Sequence, residues 1–156
     1  MSTACDRAIL VSMVEKTLKS IADAQSEATG KLARIALEYA GIYGRVVPLA
    51  QEPDFGEDAW APLEALIAVD EFERVGLHKE VMDWPAYRTA LTAFARSGEW
   101  EGTFRRVTEV AGLVILELVE RLTKGGVVTE INTVSVFEFD DGDRIRHLDI
   151  YQQREP

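Results

Sequence analysis

Two residues, His78 and Glu120, are the first candidates for acid–base chemistry. His78 is one of two histidines, and it ends a strand predicted over 72–78, where a neutral imidazole can move a proton near pH 7. Glu120 shares one face of a predicted strand with apolar residues such as Leu118, a setting that suits a carboxylate to general acid or base work. Alternatively, His78 is a rim residue bonded to backbone or water, and Glu120 reaches solvent or pairs with Arg106.

Other polar and aromatic residues also have two interpretations. The Tyr87 hydroxyl can be offered to a ligand or be satisfied within the core. Trp84 can stack on a planar ligand or pack in the core. Ser135 has no partner base visible in the sequence and is expected to be structural. Asp83 fits a helix N-cap. The acidic run 140–143 lacks the spaced ligands of a calcium loop and is expected to be a turn.

Composition limits the partners and cofactors. The chain has 156 residues and a formal net charge of −10, so its surface repels phosphate, and neither nucleic acid nor membrane is expected as a partner. The single cysteine, Cys5, excludes an internal disulfide and a Cys-rich metal site, and two histidines exclude a His-rich one. We expect no metal and no cofactor. No stretch has the pattern of a signal peptide or membrane span, so the expected location is the cytoplasm.

Helical spacing dominates the first 70 residues. An apolar stripe over 10–21 predicts a first helix, and a second stripe over 32–42 predicts another that Gly44 and Pro48 end. The segment 51–58 is predicted to be an acidic loop. A third helix is predicted over 59–68.

After residue 70 the apolar period changes to two. The strand over 72–78 is followed by a helix that begins after Asp83 and ends at Gly98. Four further strands are predicted over 101–110, 113–123, 127–139 and 144–153, joined by short turns, which is typical of an antiparallel meander. Helices followed by a meander indicate an α+β fold.

The strand over 113–123 is apolar on both faces for most of its length. A sheet with one wet face would alternate apolar and polar residues, so both faces are expected to be covered. Helices can cover one face, and the other needs either a second copy of the chain or an extra segment. We therefore predict a homodimer through the sheet, with His147 and Asp149 at the subunit interface.

The order of elements and two stretches resemble the SnoaL-like branch of the nuclear-transport-factor-2-like superfamily. The stretches are VGLHKEVMDW at 75–84 and FEFDDGDRIRHLDIY at 137–151, and the resemblance covers 62–153. It implies a cone-shaped, curved antiparallel sheet wrapped around N-terminal helices, with an apolar cavity between them. The chain is then a single domain, 1–156, in which residues 1–60 are extra N-terminal helices of unassigned role.

The resemblance implies a cavity but no single reaction. A ketosteroid isomerase would carry its catalytic carboxylate where this chain has Gly76, and its buried proton-donating acid where it has Ser135. The Asp–Arg–Asp set of a limonene epoxide hydrolase falls on Glu120, Leu118 and Ile150, so one carboxylate remains. On the cone fold, His78 and Glu120 are the expected catalytic pair, and the expected lining is Tyr87, Leu116, Leu118, Ser135, Phe137, Leu148, Ile150 and Trp84.

Three functions stay open at this point. The first is a cofactor-independent isomerase, dehydratase or cyclase that acts on a small apolar molecule, with His78 moving a proton and Glu120 or an ordered water assisting. The second is a module that binds such a molecule without turnover. The third is a dimeric scaffold whose cavity is filled by its own side chains.

Overall fold

The structure is a computed structural model that describes residues 18–156. The helices in this part of the chain are α1 (Ile21–Glu27), α2 (Lys31–Val46), α3 (Ala61–Glu64) and α4 (Trp84–Arg96), with 3₁₀ turns at Val47–Gln51 and Glu57–Trp60. The strands are β1 (Glu73–Val75), β2 (Val81–Met82), β3 (Glu99–Val110), β4 (Leu113–Lys124), β5 (Val127–Phe139) and β6 (Ile145–Gln153).

The strands form one six-stranded sheet in the order β2-β1-β6-β5-β4-β3. Strands β3 to β6 pair antiparallel, as predicted for the meander. Strand β1 pairs parallel with β6, so the sheet is mixed. It curls around the helices in an open cone, and the α+β architecture is confirmed.

Alternating apolar residues and short turns placed the meander strands well, because a period of two and a tight turn together restrict the register. Strand β5 has the predicted bounds. The predicted cap of α4 is also confirmed, since an Asp83 side-chain oxygen accepts a hydrogen bond from the Ala86 backbone N–H at 2.9 Å.

The N-terminal helices differ from the prediction. Most of the stripe over 10–21 lies outside the described residues, and its last residue, Ile21, begins α1 because Lys19 pairs with Phe104 of β3. Gly44 lies inside α2 and does not end it, whereas the helix does end just before Pro48, which lies at the start of a 3₁₀ turn.

The helix predicted over 59–68 is reduced to the single turn of α3. The chain is drawn out of helical geometry at Ile67, which forms a parallel bridge with Ile145. There the Ala68 backbone N–H donates to the Ile145 carbonyl at 2.9 Å. Tertiary pairing with β6 has therefore overridden the local helical pattern.

The strand predicted over 72–78 is also shorter, because β1 ends at Val75. The following residues form a turn into β2, which the sequence did not predict. Lys79 in this turn has a φ of 60°, a left-handed conformation that ends regular pairing. His78 therefore lies in a turn and not on a strand.

The core lies between the concave face of the sheet and the helices. Helix α2 packs against β3 and β4, and α4 packs against β1 and β2, so the two helices cover different parts of the sheet. The largest fully buried side chains include Trp60, Trp84, Phe104, Phe137 and Leu148.

Candidate functional site

A cavity of about 380 Å³ lies between the concave face of the sheet and helices α2 and α4. Strands β4, β5 and β6 supply its floor. The cavity is lined by even-numbered residues of β4 and β6 and by odd-numbered residues of β5, because alternate side chains of a strand point to the same face. Eight of the residues predicted for the site line this cavity: His78, Glu120, Tyr87, Leu116, Leu118, Ser135, Phe137 and Ile150.

Two predicted lining residues, Trp84 and Leu148, lie instead in the core. Trp84 is 1% exposed; it packs edge-on against Phe72, and its Nε1 donates to Glu64 Oε2 at 2.5 Å. Leu148 is fully buried and pairs in register with Phe137. The sequence placed both residues on the correct side of their elements but could not show where the cavity stops.

Glu120 has a fixed position in the wall of the cavity. Its Oε2 accepts a hydrogen bond from Trp100 Nε1 on β3 at 2.6 Å, and its Oε1 accepts one from the Thr133 hydroxyl on β5. The side chain does not pair with Arg106, which binds Glu117 on the opposite face. Each carboxylate oxygen keeps a second lone pair for a substrate.

His78 lies at the rim of the cavity and is exposed. Its backbone N–H donates to Glu80 Oε2 at 2.8 Å, so the turn holds the backbone of His78 beside the cavity. The prediction that His78 closes a strand is wrong, and its role as the main proton carrier stays a prediction.

A cluster of three tyrosines, which we call the tyrosine triad, forms the helical side of the cavity. Tyr39 and Tyr43 come from α2 and Tyr87 from α4. The Tyr87 hydroxyl is shared: it is hydrogen-bonded to the Tyr39 hydroxyl and, at 2.7 Å, to the Tyr43 hydroxyl. The sequence pointed to Tyr87 alone.

Counting protons shows that the tyrosine triad has a donor to spare. Three phenols carry three protons, and the two contacts between them use two. In residues 18–156 no other protein group accepts a hydrogen bond from these hydroxyls. The third O–H has only the weaker contact between the Tyr39 and Tyr43 hydroxyls, which lies outside hydrogen-bond geometry, so it can turn to donate to a ligand in the cavity.

Burial keeps two members of the tyrosine triad, Tyr39 and Tyr43, in their neutral, donating form. Desolvation raises the pKa of Tyr39 well above its usual value, and negative charge on Tyr87 would raise it further. The pKa of Tyr43 is raised in the same way, first by burial and then by charge on Tyr39. The Tyr39 and Tyr43 phenols are thus proton donors throughout the neutral range.

These raised pKa values predict an alkaline loss of stability. A phenol in the unfolded chain ionises near pH 10, while the folded chain keeps its proton. The free energy of unfolding is therefore fully present below about pH 10 and falls above it, by up to about 1.4 kcal/mol per pH unit for each such phenol. Urea unfolding between pH 8 and 11 measures this loss. Tyr39→Phe should reduce the slope, whereas an unchanged slope would contradict the assignment.

Arg74 on β1 is a second feature that the sequence did not single out. Its side chain is 19% exposed, its guanidinium carbon lies 5.2 Å from the centre of the Tyr87 ring, and its Nη1 donates to Glu80 Oε1 at 3.3 Å. Backbone N–H groups of Glu80 and His78, with Arg74 nearby, lower the pKa of Glu80. In sequence, Arg74 is one of several charged residues around Phe72, so nothing marked it.

A chain of contacts connects the two ends of the cavity. Arg74 lies over Tyr87, Tyr87 bonds Tyr43, the Tyr43 ring lies 5.4 Å from the Trp100 ring, and Trp100 bonds Glu120. The cavity thus holds a cation at one end, neutral donors in the middle and a carboxylate at the other end.

The positions carried over from the isomerases and epoxide hydrolases lack their charged groups. Gly76 is buried in the turn after β1, where the Glu80 carboxylate occupies the space that a side chain would need. Ser135 is 7% exposed. Leu118 and Ile150 line the cavity beside Glu120, so Glu120 is the one carboxylate of that set.

None of the helices within residues 18–156 is long and apolar enough to span a bilayer. In the same residues, no group of three or more His, Cys, Asp or Glu side chains is arranged to hold a metal ion.

Comparison with solved structures identifies the fold. A candidate SnoaL-like polyketide cyclase from Shewanella putrefaciens matches with a TM-score of 0.64 at 11% identity, over 84% of this chain and 85% of its own. An LEH-like epoxide hydrolase from M. tuberculosis matches with a TM-score of 0.53 at 19% identity, over 72% and 84%. The epoxide hydrolase/cyclase-like enzyme SalBIII matches with a TM-score of 0.56 at 16% identity, over 74% and 88%.

No protein-family model matches the chain, and no curated protein matches its sequence. Further structural matches are NTF2-like proteins of unknown function. At these identities the likeness shows the fold. The chain has the fold of the SnoaL-like and NTF2-like proteins, and the resemblance predicted from the sequence is confirmed at that level.

Proposed function

We propose that this protein is a cofactor-independent acid–base enzyme that acts on a small, carbonyl-bearing organic molecule. The observation that carries the proposal is the placement of a spare phenol donor and a positioned carboxylate in one cavity. The tyrosine triad supplies the donor, and Glu120 supplies the carboxylate.

The chemistry divides between the two ends. The spare O–H of the tyrosine triad donates to the carbonyl oxygen of the substrate and holds it while negative charge develops there. Glu120 takes a proton from the carbon next to the carbonyl, so the electrons of the C–H bond move into an enolate. In a β,γ-unsaturated ketone, return of that proton to the γ carbon moves the double bond and completes an isomerisation. In a β-hydroxy ketone, the β C–O bond breaks and the hydroxyl leaves as water with the proton held by Glu120, which completes a dehydration. Attack of the enolate carbon on an electrophile within the same molecule completes a cyclisation.

The proposal shifts the principal base from His78 to Glu120. Glu120 is held by two hydrogen bonds inside the cavity, whereas His78 is exposed at its rim. His78 then serves proton exchange with solvent. The descriptions of the structural neighbours as cyclases and epoxide hydrolases support chemistry on small organic molecules in this fold.

Hydrogen–deuterium exchange tests the proposal without knowledge of the natural substrate. Three ketones of different skeleton, 4-phenylbutan-2-one, cyclohexyl methyl ketone and 2-acetylnaphthalene, are incubated with the protein in D₂O, and loss of the signals of the protons next to the carbonyl is followed by NMR. We expect catalysed exchange for at least one ketone. Rates equal to the buffer blank for all three would contradict the enzyme proposal.

A second candidate function is ligand binding without turnover. The observation that favours it is that both Glu120 oxygens already accept hydrogen bonds. A ketone that raises the melting temperature by mass action but shows no exchange would identify a binder. The structure gives no support to the third function, a scaffold whose cavity is filled by its own side chains, because those side chains leave about 380 Å³ unfilled.

We also propose that a second copy of the chain covers the outer face of the sheet. Ile115, Val134 and Val136 point to that face and are only partly buried, and the register brings Ile115 beside Val136. Light scattering after size-exclusion chromatography should give the mass of two chains, and Val136→Glu should give one. Val127→Glu at the β4–β5 turn, where Val127 is 66% exposed, is the control and should stay dimeric. A monomeric wild type would overturn the proposal.

A further inference from the structure

One edge of the Arg74 guanidinium has no partner. Nη1 donates to Glu80 Oε1, but Nε is buried without a hydrogen-bond partner in residues 18–156. In that part of the chain, the Glu80 contact is the one hydrogen bond that this guanidinium makes, so Nη2 is unused too. Nε and Nη2 form the side edge of the planar group, where two parallel N–H bonds point the same way.

The rest of the guanidinium is fixed in place. It lies over the Tyr87 ring, 5.2 Å from its centre, a contact that stabilises a cation and sets its plane. The His78 backbone N–H donates to the other Glu80 carboxylate oxygen at 2.8 Å, so Glu80 is shared between Arg74 and the turn. A buried cationic donor without a partner is unfavourable until one arrives.

We infer that Arg74 is the binding residue for a carboxylate group of the substrate, so that the substrate class is an oxo carboxylic acid. The inference rests on the proposed function and adds a specificity residue to it. The free edge matches the spacing of two carboxylate oxygens, the pairing that arginine forms best. With the carboxylate on Arg74, the chain of the ligand extends past the tyrosine triad toward Glu120.

The charges around the cavity agree with a ligand that is anionic at one end. Through Leu148 and Phe137, the register aligns Arg74 with Val114 of β4, which lies six residues from Glu120 on that strand. Glu120 is therefore displaced from Arg74 both across and along the sheet, and it repels an anion on Arg74 weakly. Arg154, which also lines the cavity, adds a second positive charge. Glu80 is the competing carboxylate, since it occupies Nη1.

Matched pairs of ligands test the inference by calorimetry. Each pair keeps one skeleton and exchanges a carboxylate for a methyl ketone: 3-phenylpropanoate with 4-phenylbutan-2-one, cyclohexanecarboxylate with cyclohexyl methyl ketone, and 2-naphthoate with 2-acetylnaphthalene. For pairs that bind, we expect the carboxylate to bind about tenfold tighter. Arg74→Gln should remove that preference and leave the Kd of the ketone unchanged.

Three further variants separate charge from shape. Arg74→Lys keeps the charge but loses the planar edge, so it should retain only part of the preference. Glu80→Gln removes the competing anion and should tighten carboxylate binding. Arg146→Gln on the outer face, where Arg146 pairs with Glu138, is the control and should change neither Kd.

The outcomes distinguish the two proposals. Ketones that bind as tightly as carboxylates, or an Arg74→Gln variant that keeps the preference, would overturn the Arg74 inference and leave the proposed function intact. If no ligand of any pair binds, the cavity takes no small molecule of this kind, and both proposals are overturned.

Discussion

Glu120→Gln is expected to reduce ketone proton exchange by about 100-fold or more, the range in which removal of a general base falls. The substitution suits this site because it changes charge and basicity but little else. The amide oxygen can still accept from Trp100 Nε1, and the amide N–H₂ can donate to the Thr133 hydroxyl, which then acts as acceptor. The cavity should therefore keep its shape while its base is lost.

Glu117→Gln is the matched control for this prediction. Glu117 lies on the same strand, on the opposite face, where it pairs with Arg106. The Arg106–Glu117 pair lies on the face of the sheet away from the cavity, so this variant should exchange ketone protons at the wild-type rate. A Glu120→Gln protein that retains exchange and still binds the ketone would show that Glu120 is not the base, and His78 would then be the next residue to replace.

Tyr87→Phe is expected to have the second large effect, on both stability and catalysis. Its hydroxyl is the shared partner of Tyr39 and Tyr43, and Tyr39 is only 7% exposed. Removing it leaves buried hydroxyls short of a partner, at a cost of about 1–3 kcal/mol. Loss of the organised donor should also slow exchange by about tenfold or more, since a single donor to a developing oxyanion is worth that much.

Tyr151→Phe is the control for the tyrosine triad. Tyr151 is 60% exposed on β6, and loss of its hydroxyl should leave both the free energy of unfolding and the exchange rate unchanged. Urea unfolding and NMR exchange are measured on both variants. If Tyr87→Phe is as stable and as active as Tyr151→Phe, the hydroxyl network has neither of the roles assigned to it.

The meander and much of the cavity floor could be predicted from the sequence. Alternation along β4 and β5, with tight turns between them, determines which residues share a face, so it predicts Leu116, Ser135 and Glu120 on the same side of the sheet. The same period cannot show how far the cavity extends along a strand. The alternation therefore predicts Leu148 in the cavity lining, whereas this residue is fully buried in the core.

The helical side of the site could not be predicted, for physical reasons. A helical stripe shows that Tyr39 faces inward but not which element it meets, and the bond to Tyr87 joins residues 48 positions apart. The first 60 residues therefore had no assigned role, although α2 supplies two members of the tyrosine triad. Arg74 was missed because a charged residue on a short strand is ordinarily solvated, and only the packing of Tyr87 beneath it shows otherwise.

A crystal structure with the tightest-binding of the three ketones is the most direct test of the central claim. We predict that the carbonyl oxygen lies within hydrogen-bond distance, about 3 Å, of a hydroxyl of the tyrosine triad, with the adjacent carbon turned toward Glu120. A ketone bound outside the cavity, or one inside it whose oxygen faces away from all three tyrosines, would contradict the claim.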